Sequence, residues 1–276
     1  MQKKAKGPFQ QKAGKWKRVG QGKIAFFAVQ KNTAMQVPTF DVTIPVLNEE
    51  ATLERQVNVL HHFLKKHFPA AGQWRIVIAD NGSSDRTFEI AGKLAEQHPE
   101  VQPLRMPGRG VGLALKTSWS QSPADIVGYM DLDLATELPH FIEAYDAIAR
   151  QGYDLVYGTR LHPASTVIGR SLKREISSRG FNFLLKNYLG VKFSDGMCGF
   201  KWLKREVYPK LQDAGAVSDG WFFSTELLTT AEWLGLKIFE LPVKWTDDTS
   251  SSRVKILPLA KQYLLAMRTL KTKKPQ

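Results

Sequence analysis

Only one cysteine, Cys198, occurs in the 276 residues. That excludes a disulfide framework and any cysteine-cluster metal site, and it fits a reducing compartment. Long apolar runs are also missing. None approaches the roughly 18–20 residues that a membrane-spanning helix needs. The longest N-terminal candidate, Ile24 to Val29, is too short even for the core of a signal peptide. The expectation is a protein neither exported by a recognisable signal nor threaded through a bilayer. Acidic residues are absent from both ends. Residues 1–38 hold nine Lys and Arg with no Asp or Glu, and residues 253–276 hold seven with none. Residues 39–252 carry 23 basic and 26 acidic side chains. The net charge of +13 therefore belongs to the two ends. A basic protein ordinarily suggests nucleic acid, but here that suggestion concerns tails alone.

What is present is an ordinary soluble composition, 43% hydrophobic and 24% charged, long enough for one large α/β domain. Residues 1–38 read as a basic flexible arm, 39–252 as the folded domain, and 253–276 as a basic amphipathic helix. From Phe40 onward, strand and helix signals alternate. Strands are predicted at Asp41–Val46, Trp74–Ala79, Val101–Met106, Asp125–Met130 and Tyr153–Tyr157. Helices are predicted around 53–64, 86–97, 113–120 and 138–150, the first from Leu53, Val57, Leu60 and Leu64 at helical spacing. This alternation predicts a doubly wound, mostly parallel sheet with flanking helices in a single catalytic domain. Ligands of such sheets bind at the carboxyl ends of the strands. The polar clusters Asn48–Glu50, Asp80–Asp85 and Asp131–Asp133 each follow a predicted strand end.

Asp131-Leu132-Asp133 is the sharpest of these. Alternation along an extended segment points both carboxylates to one side, with Leu132 toward the core. Two converging carboxylates are costly without a cation, and oxygen ligands of this kind suit Mg2+ or Mn2+. Asp80 is read as an acceptor for a base or ribose, while Ser84 or Asp85 caps the following helix. The glycine-rich turn Gly108, Gly110, Gly112 is read as letting backbone approach a ligand, with Arg109 beside it. Its spacing is not that of a dinucleotide fingerprint. Residues 160–210 hold eleven basic side chains against three acids. Within them Arg170, Arg174 and Ser178 recur every four residues, so a helix would align them. Arginine is the preferred residue for bidentate phosphate recognition.

Ile44-Pro-Val-Leu-Asn-Glu-Glu50, Asp80-Asn-Gly-Ser-Ser-Asp-Arg-Thr87, Gly110-Val-Gly-Leu-Ala114 and Asp131-Leu-Asp-Leu134 resemble, in order and spacing, the GT-A family 2 glycosyltransferases. Gly158-Thr-Arg160, Lys173-Arg-Glu-Ile-Ser-Ser-Arg-Gly-Phe-Asn182, Cys198-Gly-Phe-Lys201, Thr225-Glu226, Pro242-Val-Lys-Trp245 and Ser251-Ser-Arg-Val254 resemble the polyprenyl-phosphate branch of that family. The branch includes dolichyl-phosphate mannose synthases and dolichyl-phosphate β-glucosyltransferases, and Cys-Gly-Phe-Lys leans toward the latter. The resemblance covers about residues 39–256. It implies a GT-A (Rossmann-like) fold, with Pro45, Leu47, Glu49 and Asp80 holding the nucleotide's base and ribose, and Arg253 on the pyrophosphate side. Arg109 and Gly110 are assigned to the same nucleotide-sugar site. Asp131 and Asp133 would bind the metal. Arg160, Arg174 and Ser178, joined by Arg170, would hold the acceptor phosphate. Three positions depart from the family's usual residues: Ala135 for a polar side chain, Leu47 for an aromatic, and Ser224 for an aspartate.

The expected chemistry is inverting transfer of a hexose from UDP-glucose or GDP-mannose to a polyprenyl or dolichyl phosphate. The acceptor phosphate is largely dianionic at neutral pH and attacks without a dedicated base, with Asp133 as the reserve candidate. The acceptor's location implies a protein peripheral on the cytoplasmic face of a membrane, held at its surface by the basic helix or by a membrane-spanning partner subunit. Nucleic acid is not expected as a partner. The competing readings are a GT-A transferase with a soluble glycan or small-molecule acceptor and, more remotely, a nucleic-acid-binding protein with basic arms.

Overall fold

The strand Phe40–Val46 (β1) is almost wholly buried, as befits a central parallel strand covered on both faces. β1 pairs in parallel with Trp74–Asp80 (β2) on one side and with Ile126–Met130 (β4) on the other. The chain is a computed structural model that describes residues 37–247 and 256–275. The basic arm and Arg253 lie outside the described residues. Val101–Arg105 (β3), Leu155–Thr159 (β5), Phe200–Lys204 (β7) and Ile238–Pro242 (β8) complete a seven-stranded sheet in the order β3-β2-β1-β4-β7-β5-β8. Only β7 runs antiparallel to its neighbours. Thr166–Ile168 (β6) and Lys244–Thr246 (β9) form a separate two-stranded ribbon.

Helices cover both faces. Leu53–His67 (α1), Thr87–Gln97 (α2) and His140–Ala149 (α4) bury their apolar stripes on one side. In α1 the buried stripe contains the Leu53, Val57, Leu60 and Leu64 spacing visible in the sequence. Val111–Gln121 (α3), Leu172–Leu189 (α5), Tyr208–Asp213 (α6), Phe223–Trp233 (α7) and Ile256–Lys271 (α8) lie on the other. α8 docks through Tyr263, Met267 and Leu270 and leaves Leu264 and Leu265 exposed, so it is both a core helix and an amphipathic one.

The sheet order reverses between β1 and β4: the chain builds β1, β2, β3 outward in one direction and then returns to the far side of β1. That is the switch point where open α/β sheets bind ligands. The carboxyl ends of β1, β2, β4 and β5 share this edge, and β7 begins there opposite the end of β4, with Phe200 across from Met130. The expected doubly wound fold is present, with one reversed strand that strand-and-helix alternation did not reveal.

Candidate active site

Asp131 and Asp133 line one cleft, with Ala135, Gly199 and Trp245 on its other walls. Strand alternation is not what brings the carboxylates together, contrary to the sequence expectation. β4 stops at Met130, and a turn follows in which the Leu134 N–H reaches the Asp131 carbonyl at 3.3 Å. Leu134 takes φ +53, a left-handed conformation that L side chains rarely adopt and that clusters at functional sites. The turn leaves Leu132 in the core and directs Asp133 to the cleft, where its Oδ1 accepts the Ala135 N–H at 3.0 Å. Burial, followed by the charge of Asp133, pushes the Asp131 carboxyl up to about 7, with Arg160 and Lys201 pulling the other way. A pair that resists carrying both negative charges gains from a cation. An all-oxygen donor set fits Mg2+ or Mn2+, whose remaining positions take water and phosphate. Among the described residues no group of three or more His, Cys, Asp or Glu could hold a metal ion. Ala135 lines this cleft without a side-chain oxygen, so among the described residues Asp131 and Asp133 are the carboxylates that line it.

Trp245 also borders a cluster of arginines. The Arg160 and Arg170 guanidinium carbons lie 5.2 and 5.9 Å from the centre of the indole, within cation–π range. Arg160, at the end of β5, is nearly buried and forks onto Asp195, with Nε to Oδ2 at 2.8 Å and Nη2 to Oδ1 at 3.0 Å. Burial opposes both charges. The pair's mutual attraction outweighs it, holding Asp195 down at about 2 and Arg160 above its ordinary value.

Arg170 lies outside α5, which begins at Leu172 behind a Ser171 cap, so a single helix does not align Arg170 with Arg174 and Ser178. The Arg170 Nη2 instead reaches back to the Ser178 hydroxyl and, at 3.3 Å, to the Arg174 carbonyl. The expected trio is assembled, by a different route. The Arg170 side chain is 7% exposed, and its Nε and Nη1 donate no hydrogen bond among the described residues, although Glu175 lies 3.3 Å from Nε. Arg174 pairs with Asp247.

Among the residues expected to hold the nucleotide, Pro45 and Leu47 are half-buried at the end of β1, and Glu49 accepts the Thr52 hydroxyl at 2.8 Å. Asn48 takes φ +55 and accepts the Ser84 N–H, tying this loop to the one after β2. Asp80 is fully buried, and its carboxylate is already engaged, receiving the Ser83 N–H at 3.1 Å. Asp85 accepts the Thr87 N–H and hydroxyl at the first residue of α2, although the N-cap position itself is Arg86, which makes no side-chain cap. Arg109 is exposed. The glycines beside it pack closely on the following segment: a Cβ on Gly110 or on Gly112 would fall 2.2 Å from the carbonyl oxygens of Asp219 and Ser218 respectively. Buried Glu226 holds that 217–218 segment by accepting both its N–H groups, at 2.9 and 2.8 Å.

The profile of Glycosyl transferase family 2 matches residues 41–212. The chain belongs to this family. Among curated relatives, it is 33% identical over 227 residues to glycosyltransferase AglD of Haloferax volcanii, covering 81% of this chain but only 36% of that protein. It is 28% identical over 243 residues to dolichyl-phosphate beta-glucosyltransferase ALG5C of Trichomonas vaginalis, covering 83% of this chain and 68% of the relative. With the Dictyostelium discoideum dolichyl-phosphate beta-glucosyltransferase the figures are 29% over 224 residues, 76% and 67%. The chain thus spans about a third of AglD and about two thirds of the dolichyl-phosphate enzymes. Among solved structures, glucosyl-3-phosphoglycerate synthase from Mycobacterium tuberculosis, crystallised with Mn2+ and UDP, aligns with a TM-score of 0.61 at 23% identity. The alignment covers 87% of this chain and 81% of the synthase, and places the chain in the same GT-A-like family 2 fold.

Several groups at this site carried no role in the sequence reading: Asp195, Asp247, Trp245, Gly199 and Lys201. Asp195 had a signal, being one of three acids in a strongly basic stretch. Nothing local marks Asp247 as a partner of a side chain 73 residues earlier.

Proposed function

We propose that this chain is an inverting hexosyltransferase that moves glucose from UDP-glucose to a dolichyl or other polyprenyl phosphate at a membrane surface. One observation carries the reading. Trp245 is a shared wall, with the Asp131–Asp133 cleft against it and Arg160 and Arg170 stacked near its ring. A site for a cation-bridged diphosphate and a site for a second phosphate therefore adjoin. The dolichyl-phosphate beta-glucosyltransferase relatives favour glucose as the sugar, and the UDP bound by the mycobacterial synthase favours UDP as its carrier.

Each group has a role in this reaction. Asp131 and Asp133 would hold Mg2+ or Mn2+, which when bound supplies positive charge to the leaving nucleoside diphosphate. Pro45, Leu47, Glu49, Asp80, Arg109 and Gly110 would flank the nucleotide; Arg253, which the resemblance assigns to its pyrophosphate side, lies outside the described residues. Arg160, Arg170, Arg174 and Ser178 orient the acceptor phosphate and offset its repulsion from the donor phosphates. A phosphate monoester has its second pKa near ~6, so at neutral pH it is already the nucleophile and needs no strong base. Attack from the face opposite the leaving group inverts the anomeric centre.

The acceptor's tail needs apolar surface beside the arginines. α5 provides it, presenting Leu172, Ile176, Phe183 and Leu184 to solvent, the first at 73% exposure, on the helix that also carries Arg174. Lys173, Arg179 and Lys186 on the same helix are exposed, and each basic side chain near an anionic bilayer adds about 1 kcal/mol. Phe181 packs against Tyr263 of α8 with ring centroids 5.3 Å apart, joining this surface to exposed Leu264 and Leu265. No helix among the described residues is long and apolar enough to cross a membrane.

The test is a panel of radiolabelled nucleoside-diphosphate sugars incubated with the purified chain, Mg2+ or Mn2+, and vesicles containing dolichyl phosphate. Label from UDP-glucose is expected in the organic phase. Label that stays aqueous with every donor contradicts the lipid acceptor and favours a soluble one. Transfer with vesicles alone also dispenses with a membrane-spanning partner subunit.

A further inference from the structure

Lys201 is one of the largest fully buried side chains of the molecule, and the chemistry above does not use it. It lies in β7, flanked in register by Tyr129 of β4 and Tyr157 of β5. An ammonium in the interior is costly unless every proton finds an acceptor. Here all three do. Nζ donates to the Cys198 carbonyl at 2.7 Å, to the Ser224 hydroxyl oxygen at 2.6 Å and to the Gly196 carbonyl at 3.3 Å. Ser224 also accepts the Tyr129 hydroxyl at 2.6 Å and donates to the Gly196 carbonyl. The network is closed, with each member satisfied.

The object held by this network is the turn from Asp195 to Gly199. At one end Asp195 orients Arg160. At the other, Gly199 lies flat against the carboxylate of Asp131: a Cβ at that position would stand 2.0 Å from Oδ2. One five-residue turn thus touches both the carboxylate cleft and the arginine cluster, and two of its three internal carbonyls are fastened to one buried cation.

We propose that Lys201, braced by Ser224 and Tyr129, is a positioning residue that sets the Asp131 carboxylate and the Arg160 guanidinium in register by pinning this turn. The inference rests on the proposed transferase reading for the metal but not for the turn. Retaining an ammonium where methionine would pack is consistent with a demand for this geometry, because burial pushes the amine down to about 8 and a cation so placed adds little stability.

The turn contains the molecule's one cysteine, Cys198, which is fully buried, and this supplies a readout independent of catalysis. Wild type, Lys201→Met and Ser224→Ala are compared for the rate of Cys198 modification by a thiol reagent, for Mn2+ affinity by titration with the metal alone, and for melting temperature. Both variants are expected to label at Cys198 at least about tenfold faster, with Mn2+ affinity weakened severalfold in Ser224→Ala and about tenfold or more in Lys201→Met. Ser224→Ala is expected to melt within a few degrees of wild type, which separates a displaced turn from a general loosening. If Lys201→Met does not fold, Ser224→Ala decides. A protected Cys198 or an unaltered Mn2+ affinity in the folded variants overturns the proposal. A wild-type chain that binds no Mn2+ overturns the metal reading instead and the Asp131 half of this inference with it; the thiol rates then decide whether Lys201 pins the turn.

Discussion

At the end of β4, Asp131 sits beside Asp133 and is pushed up to about 7, whereas each arginine of the cluster lies against a carboxylate: Arg160 on Asp195, Arg170 near Glu175, Arg174 on Asp247. One half of the site concentrates like charge and the other balances opposite charges. Under the proposed function, the difference follows from what each half would do between turnovers. A carboxylate pair that resists full ionisation gains from a cation and, without one, from a proton. Three arginines with free rotation would repel one another and collapse onto any anion. Tied to carboxylates, they keep their directions and retain donors, as Arg170 does, for a phosphate.

The largest expected effect strikes the acidic half. Asp133→Ala should lower kcat/KM by at least about 10^3-fold while the circular dichroism spectrum stays native. Near-normal transfer would remove the metal from the account. Next comes Asp195→Asn in the balanced half. It leaves Arg160 buried without its counter-charge and should cost about 3 kcal/mol or more in urea unfolding. Asp195 is held at about 2, below its unfolded value, so its stabilising contribution is complete above the unfolded carboxylate range. It is lost as pH falls toward 2, and the gap between variant and wild type should close there. A third effect is confined to the surface: Phe183→Glu on α5 should weaken binding to anionic vesicles by roughly tenfold. Transfer to a short-chain, water-soluble acceptor phosphate should change little. Equal loss with both acceptors would mean that Phe183 serves the fold.

The smallest effect is the most diagnostic of unbalanced charge. Asp131 has a raised folded pKa, so the native state binds that proton more tightly than the unfolded chain. The associated stability is present at low pH and lost as pH rises through about 7. Asp131→Asn removes the ionised form and should melt a few degrees higher than metal-free wild type at pH 8, with no such gain near pH 4. Added Mn2+ should raise the melting temperature of wild type but not of the variant. A variant less stable at pH 8 would mean that the pair is already balanced within the protein.

The first five strands and the helices between them were legible because buried strands and amphipathic helices leave periods in the sequence; Leu53, Val57, Leu60 and Leu64 are an example. Beyond residue 160 the chain gives fewer such signs. Phe200-Lys-Trp-Leu-Lys204 carries no mark that it runs antiparallel between β4 and β5, or that Lys201 within it is buried. Asp131 and Asp133 were legible as a pair, but the turn that joins them was not. It depends on a leucine taking a left-handed conformation, which the residue itself disfavours and only the surrounding fold imposes. The arginines were legible as a basic cluster by residue type. Their pairing was not, since Asp195 and Asp247 reach them through tertiary structure alone.

The division of labour between the halves is tested most directly by measuring Mn2+–UDP affinity at equilibrium and acceptor KM in wild type, Asp133→Ala and Arg170→Gln. Asp133→Ala should lose Mn2+–UDP binding. Arg170→Gln should bind Mn2+–UDP as wild type does and require at least about tenfold more dolichyl phosphate to reach half-maximal rate. An Arg170→Gln enzyme with unchanged acceptor KM, or with weakened Mn2+–UDP binding equal to that of Asp133→Ala, would contradict a site built from one cation-seeking half and one phosphate-holding half.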